Sequence, residues 1–308
     1  MAHHHHADSN NQGRTFVITI FLNLVFVGVE FAYGFIANST ALIADAGHNI
    51  SDVLGLLLAW GAVILARRQP NKRYTYGLRS TSILAALANA MLLLFACGAI
   101  AWEAVHRFSQ PPAIAGLTVS IVAAIGIVIN GLSALLLMKG SKGDLNIRSA
   151  YLHMVADTAV SLAVVITGLV MLYSKWYLLD PIMSLVIVVV IVISTWGLLR
   201  DSLQLAMNAV PAHIDAPAID AYLCQLEGVT DIHDLHIWGL STTENALTVH
   251  LVMPSGHPGD AFMDNCVQTL KEQYSVHHCT LQIELGTTNH TCALTVTKPV
   301  QHYHRHRH

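Results

Sequence analysis

The sequence predicts an α-helical membrane protein with six transmembrane helices and a C-terminal cytoplasmic α+β domain. Hydrophobic residues make up 54% of the 308 residues and charged residues only 11%, against the share of about 25% charged residues that is typical of soluble domains. The apolar residues are concentrated in six long stretches between about residues 15 and 199, and ordinary polar content returns after Arg200. Composition and patterning together therefore indicate a membrane part followed by a small folded domain.

Each apolar stretch is close to or above the roughly 20 residues that a helix needs to cross a bilayer. The stretches are 15–36, 41–66, 82–107, 114–138, 149–173 and 181–199. Turn-forming pairs such as Asn38-Ser39 and Pro111-Pro112 separate them. A soluble helical bundle would need charged outer faces, and the run from Leu185 to Ser194 has none. The first stretch lacks a small-residue cleavage site, so we expect a retained helix rather than a signal peptide.

Lysine and arginine residues are distributed unevenly between the two sets of connecting segments. One set carries ten of them, whereas the other carries only Arg107 and Lys175. Because positive residues in short loops stay on the cytoplasmic side, we expect both termini in the cytoplasm. The ten residues are Arg14, Arg67, Arg68, Lys72, Arg73, Arg79, Lys139, Lys142, Arg148 and Arg200.

Residues 206–290 have ordinary polar and charged content, and we interpret them as the cytoplasmic α+β domain. The strand-forming residues Thr248 to Val252 and the loop-forming Gly256 support this interpretation. The expected elements are a helix at 215–226, strands at 229–240 and 246–253, a helix at 259–273 and a strand at 279–285. The predicted organisation is a histidine-containing tail at 1–13, a membrane domain at 14–205, the cytoplasmic domain at 206–290 and a histidine-rich tail at 291–308.

Ionisable residues within the apolar stretches are the most informative feature of the sequence, because such groups are costly inside a bilayer. The second stretch contains His48 and Asp52, and the fifth contains His153 and Asp157. Both pairs have the spacing H-x-x-x-D, which places the two side chains on one face of a helix about one turn apart. Two such helices facing each other would present two imidazoles and two carboxylates.

Two nitrogen and two oxygen ligands are enough for a tetrahedral zinc site. A divalent cation also offsets the cost of burying two aspartates. We therefore predict that His48, Asp52, His153 and Asp157 bind a transported metal ion. Asp45 and Asn49 lie beside this group in sequence, and we interpret them as supporting partners of the ligands or as residues of the ion path.

A second group of metal-binding residue types lies in the cytoplasmic domain. His233 is expected on the first strand, His250 on the second and Glu284 on the third. Residues of one sheet come together when they share a face, so these three form a candidate metal site. A histidine-rich surface without fixed ligand geometry is the alternative, and the spacing leaves both open.

Several motifs resemble those of the cation diffusion facilitator family, and the resemblance covers about residues 14–290. The segment Ala-Leu-Ile-Ala-Asp-Ala-Gly-His48-Asn-Ile-Ser-Asp52 is similar to the second-helix signature of the bacterial zinc-exporting members. The remaining matches are Tyr151-Leu-His-Met-Val-Ala-Asp157, Arg73-Tyr-Thr-Tyr-Gly77, Asp180-Pro181, His233-Asp-Leu-His-Ile-Trp238 and Leu247-Thr-Val-His250.

The resemblance implies a homodimer in the bacterial inner membrane that exports Zn²⁺ from the cytosol in exchange for protons. It assigns the four intramembrane residues to the transport site, and His233, His250 and Glu284 to a regulatory cytoplasmic site that also binds Zn²⁺. Gln282 and Glu284 stand where some relatives have histidine and aspartate. We therefore expect weaker binding, or one ligand fewer, at the cytoplasmic site.

Exchange of metal for protons also has a physical basis that is independent of the family. Histidine and aspartate must lose protons to bind a metal, so protons and metal compete for the site, and imidazole titrates near neutral pH. Alternating access then requires rigid-body rocking of helices around a site near the bilayer midplane. Zn²⁺ is the expected cargo, with Cd²⁺, Co²⁺, Ni²⁺ and Fe²⁺ as alternatives, because imidazole and carboxylate follow the general affinity order.

Other functional classes fit the sequence less well. A membrane metalloenzyme needs a general base beside its metal, as in H-E-x-x-H, and the chain has no such motif. A metal-gated channel favours weak binding at several sites, whereas four ligands hold an ion tightly. A net charge of −3 without a basic stripe argues against nucleic-acid binding. We therefore predict a transporter and not an enzyme, with a transported ion rather than a resident cofactor.

Overall fold

A computed structural model describes residues 24–138, 145–287 and 292, apart from a few side chains within the helices. The chain forms two compact units. The first lies within Met1–Trp60 and Ala85–Leu199, and the second within Gly61–Leu84 and Arg200–His308. The predicted tail at 1–13, and the tail at 291–308 apart from Cys292, lie outside the described residues.

Long helices follow one another through the predicted membrane domain. They are α1 (Leu24–Ile36), α2 (Thr40–Ala66), α3 (Thr81–Arg107), α4 (Gly116–Met138), α5 (Leu145–Ser174) and α6 (Leu179–Ala206). Within the described part of the chain, four helices are long and apolar enough to cross a membrane, namely α3, α4, α5 and α6. The predicted breaks at Asn38-Ser39 and Pro111-Pro112 both fall between helices.

Small residues let the helices of the first unit approach closely. A Cβ atom added at Gly116 in α4 would lie 2.6 Å from the carbonyl oxygen of Gly168 in α5. One added at Gly55 in α2 would lie 2.7 Å from Asn89 Nδ2 in α3. Association through glycine, alanine and serine is typical of membrane helices, because lipid tails are as apolar as large side chains and close packing must supply the attraction.

A buried aspartate accepts hydrogen bonds from the residues at the start of α2. Asp180, at the beginning of α6, is fully buried and accepts hydrogen bonds from Ser39 Oγ and from Thr40. The Thr40 backbone nitrogen and its Oγ1 each lie 2.7 Å from Asp180 Oδ2. A carboxylate at this position satisfies a backbone donor in the first turn of α2 and lies at the positive end of its dipole.

The second unit contains a three-stranded sheet. Its elements are α7 (Ala216–Cys224), β1 (Asp231–Gly239), β2 (Asn245–Val252), α8 (Asp260–Tyr274) and β3 (His278–Glu284). The strand order is β1-β2-β3, with β1 antiparallel and β3 parallel to β2. Every predicted element is present, with bounds that differ from the prediction by one or two residues. The α+β fold class predicted for this part is therefore confirmed.

One face of the sheet is apolar and packs against the helices. Leu247, Val249 and Leu251 alternate along β2 and are buried together with Leu270 of α8. Because side chains alternate between the faces of a strand, His250 lies on the opposite face. The sheet thereby presents His250 and its neighbours away from the hydrophobic core.

The connection between α2 and α3 contacts the β1–β2 turn within the second unit. Arg79 forms an ion pair with Glu244. Ser80 Oγ donates to the Leu240 carbonyl at 3.3 Å, and the Thr242 backbone nitrogen donates to Ser82 Oγ at 3.1 Å. The segment that follows α2 is thus fixed to the turn joining two strands of the sheet.

Candidate metal centres

The structure brings together two of the four predicted transport ligands. His48 lies on α2 and Asp157 on α5, and His48 Nε2 is 3.8 Å from Asp157 Oδ1. The Asp157 side chain is buried, with 6% of its surface exposed, and that of His48 is 19% exposed. A histidine and a carboxylate from two different apolar helices therefore point to the same place.

The other two predicted ligands are Asp52 and His153. Their side chains lie outside the described part of the structure. Their backbones are helical, and Asp52 lies one turn after His48 while His153 lies one turn before Asp157. Their participation in the site stays a prediction.

Two further polar contacts involve residues of α2 that lie close to His48 in sequence. Asp45, only 2% exposed, accepts a hydrogen bond from Ser161 Oγ of α5 at 3.4 Å. Asn49 Nδ2 donates to Glu30 Oε2 of α1 at 3.5 Å. The two residues that sequence placed beside the ligands thus contact α5 and α1. Glu30 was absent from the predicted site, although a single carboxylate in an apolar helix is itself a signal.

The predicted cytoplasmic residues converge on one cluster. His233 of β1 lies directly opposite His250 of β2 in the antiparallel pair. Glu284 of β3 reaches both: its Oε2 lies 3.3 Å from His233 Nε2, and its Oε1 lies 2.8 Å from His250 Nδ1. All three side chains are largely buried, with 26%, 15% and 10% of their surfaces exposed, respectively.

Two further residues join this cluster that the predicted ligand set did not include. Asp234 lies at an irregularity of β1, between His233 and His236, and has a φ of 53°. Its Oδ1 is 3.2 Å from His236 Nε2 and its Oδ2 is 3.7 Å from His250 Nε2. Aspartate tolerates this left-handed conformation better than most residues. The regular alternation of side chains expected along β1 did not predict that the Asp234 carboxylate would point towards His250.

Cys292 is the second addition. Its Sγ lies 3.5 Å from His250 Nδ1. One atom each from His233, His250 and Cys292 lie within 4.8 Å of one another, which is a geometry that can hold a metal ion. Gln282, noted in the sequence as a departure from some relatives, donates from Nε2 to Glu284 Oε1 at 2.9 Å. It therefore orients the carboxylate.

Comparison with protein-family models assigns both parts of the chain. Residues 16–205 match the model described as the cation efflux transmembrane domain. Residues 211–285 match the model described as the cytoplasmic domain of cation efflux proteins. The two matches together cover most of the chain, including His48, Asp157 and the sheet that carries His233, His250 and Glu284.

Characterised relatives align over nearly their whole length. The chain is 31% identical to a cadmium, cobalt and zinc/H⁺-K⁺ antiporter of Bacillus subtilis over 313 residues, covering 100% of both chains. It is 33% identical to the zinc transporter ZitB of Escherichia coli, covering 92% of this chain and 93% of the relative. It is 32% identical to the metal cation efflux system protein CzcD of Cupriavidus metallidurans, covering 92% and 90%.

Two independent lines thus agree on the same assignment. The fold combines apolar helices that carry a histidine–aspartate pair with a small α+β domain, and the family models match each part in the same order. The chain belongs to the cation diffusion facilitator family of cation efflux proteins.

Proposed function

We propose that this protein exports a divalent metal cation, with Zn²⁺ as its principal cargo, from the cytoplasm in exchange for protons. The contact between His48 Nε2 and Asp157 Oδ1, at 3.8 Å and between two apolar helices, carries the proposal. An imidazole and a carboxylate at this separation suit a borderline cation such as zinc. Asp52 and His153 are proposed to complete the site from the neighbouring turns.

Proton exchange follows from the chemistry of these ligands. A histidine and an aspartate must both be deprotonated to bind a metal, so each bound ion displaces protons. When the site opens to a more acidic exterior, protonation competes with the metal and promotes its release. Imidazole changes charge in the pH range that separates the two sides of a bacterial membrane.

The relatives differ in the metals that their names carry, and this bears on the range of cargo. One is named for cadmium, cobalt and zinc, and another for zinc alone. Nitrogen and oxygen ligands do not by themselves separate these ions. We propose that zinc is the main substrate and that other divalent ions of similar size follow it.

The cytoplasmic cluster is proposed to be a second metal site with a regulatory role. Glu284 bridges His233 and His250 at 3.3 and 2.8 Å, which brings two imidazoles and a carboxylate together on the sheet. We further propose that the protein acts as a homodimer in the bacterial inner membrane, with both termini in the cytoplasm and no enzymatic activity. The excess of lysine and arginine on one set of loops supports that orientation.

Zinc flux in proteoliposomes tests the transport proposal. Vesicles containing the purified protein, an internal zinc dye and an imposed pH gradient should take up Zn²⁺ in a saturable, gradient-dependent way. We expect Asp157→Ala and His48→Ala to reduce this flux at least about a hundredfold, since each removes a ligand from the site. Collapse of the gradient should slow transport by the wild type.

His106→Ala is the matched control for this experiment. His106 also lies on an apolar helix, but it is exposed and stacks edge-on against Trp102. This variant should transport at the wild-type rate. Flux that persists at that rate in Asp157→Ala protein, or flux that ignores the pH gradient, would contradict the proposal. Vesicles offered Cd²⁺ or Co²⁺ would define the range of cargo.

A further inference from the structure

We propose that the cytoplasmic cluster is a thiolate-containing metal site in which Cys292 is a ligand together with His233, His250 and Glu284. The ions it suits are Zn²⁺ and the softer Cd²⁺. The proposal rests on the second metal site proposed above and adds to it a further ligand and the class of metal. Its ligand chemistry differs from that of the transport site, which offers nitrogen and oxygen alone.

The geometry already approaches that of a bound metal. The candidate ligand atoms of His233, His250 and Cys292 all lie within 4.8 Å of one another. Ligand atoms around one tetrahedral zinc are roughly 3.3–3.6 Å apart, given Zn–N and Zn–S distances of about 2.0 and 2.3 Å. A contraction of at most about 1.2–1.5 Å would therefore suffice, which is within the reach of side-chain rotation.

Glu284 supplies the fourth ligand. Its carboxylate contacts an atom of each histidine, and the distance of 2.8 Å from Oε1 to His250 Nδ1 is that of a hydrogen bond. Such a bond requires a proton between the two atoms. A metal ion that takes the place of this proton would be held by the same nitrogen and the same carboxylate.

The charges of the ligand set also match a divalent cation. Two neutral imidazoles, one carboxylate and one thiolate carry a total charge of −2, so these four ligands and a divalent ion together are neutral, which lowers the cost of burying them. On binding, the sulfur–metal bond replaces the S–H bond of Cys292, and the thiol proton passes to water. The proton that leaves His250 Nδ1 is replaced by one on Nε2 of the same ring, so the imidazole stays neutral.

Neighbouring groups hold the histidines in the required orientation. Asp234 Oδ2 lies 3.7 Å from His250 Nε2, whereas Glu284 and Cys292 contact the other ring nitrogen, Nδ1. An acidic group at that nitrogen favours a proton there and leaves Nδ1 available as a ligand. The T-shaped contact between the His233 and His250 rings, with centroids 5.0 Å apart, keeps the two imidazoles adjacent.

Cobalt substitution of the full-length protein tests this site, because a thiolate bound to Co²⁺ gives a sulfur-to-metal charge-transfer band in the near ultraviolet. We expect wild-type protein in detergent to show the band on titration with Co²⁺. Cys292→Ser should lose it and should bind Cd²⁺ at least about tenfold more weakly, since loss of even an outer partner of a ligand has an effect of that size. His250→Ala should also lose the band.

Cys224→Ser is the control, because Cys224 is exposed on α7 and lies outside the cluster. It should keep both the band and the Cd²⁺ affinity. A wild-type titration without the band, or a band that survives in Cys292→Ser protein, would overturn the proposal. Proteoliposome zinc flux, measured on the same Cys292→Ser sample, reports the transport function separately, because no cysteine belongs to the transport site.

Discussion

At the scale of single residues, the role of a buried carboxylate depends on the side chains that contact it. Asp157 lies beside His48 and is suited to bind a cation. Asp180 is equally buried but accepts hydrogen bonds from Ser39 and from the backbone and side chain of Thr40, so its charge is already compensated. The distinction between a metal ligand and a structural aspartate therefore depends on the neighbouring side chains rather than on the residue type.

Replacing Asp180 with alanine should destabilise the membrane domain. The change removes an acceptor from three donors at the start of α2, and hydrogen bonds to a charged group contribute about 1.5–3 kcal/mol each. We expect the unfolding free energy in detergent to fall by about 2 kcal/mol or more. Asp201→Ala, at an exposed position of α6, should change it little. An equal loss in both variants would show that Asp180 has no special role.

At the scale of elements, the helix α2 and the segment that follows it each make defined contacts within their own unit. The helix carries His48 in the first unit, and the segment that follows it is fixed to the β1–β2 turn through Arg79 and Glu244 in the second. A single exposed ion pair contributes little stability. The accompanying hydrogen bonds from Ser80 and Thr242 add to it, so the segment is fixed to the turn at several points within the second unit.

The packing of α4 against α5 gives a prediction at the same scale. A Cβ atom added at Gly168 would lie 2.9 Å from the Gly116 carbonyl oxygen, so neither backbone has room for a side chain. Gly168→Ala should therefore separate the helices and reduce the unfolding free energy by about 1–3 kcal/mol. Gly197→Ala on α6 is the matched control, because in the described part of the chain no atom outside the adjoining backbone of α6 lies within 4 Å of its added Cβ. Thermal melting of the two variants in detergent compares them, and indistinguishable midpoints would argue against tight α4–α5 packing.

At the scale of the whole molecule, the two units use apolar surface in opposite ways. In the first, large side chains such as Phe95, Tyr173 and Ile193 are exposed, as expected for helices surrounded by lipid. In the second, the apolar residues of the sheet and of α8 are buried against one another. The surface of the first unit is thus suited to lipid, whereas the second unit buries its apolar residues as a domain in water does.

Introducing one arginine on the surface of each unit should distinguish the lipid-facing surface of the first unit from the surface of the second. Ile193→Arg, at a position 70% exposed near the middle of α6, should impair membrane insertion, because arginine at a helix centre costs about 2.5–3.5 kcal/mol. Val267→Arg on α8, 42% exposed, should leave insertion unchanged. The amount of folded protein in isolated membranes measures both variants. Normal yield of Ile193→Arg protein would be inconsistent with lipid around that face.

Sequence was most informative where a pattern has one physical interpretation. The spacing His48-x-x-x-Asp52 and its counterpart at His153 and Asp157 identified candidate ligands, because charged groups in apolar helices have few other uses. The strands and helices of the cytoplasmic domain were placed within one or two residues. Glu30, Asp234 and Cys292 were missed as members of their clusters because each meets its partners through contacts that no periodicity encodes.

The sequence by itself determined the class of protein, the order of its elements and most of the candidate metal-binding residues, since hydrophobic length, strand alternation and ligand spacing are local properties. Only the tertiary structure decided which residues meet. The bulge at Asp234 turns its carboxylate towards His250, and Cys292, beyond the end of the sheet, comes within 3.5 Å of the same ring. These contacts join segments far apart in the chain, and their geometry depends on how the strands pack and where the backbone deviates from regular structure.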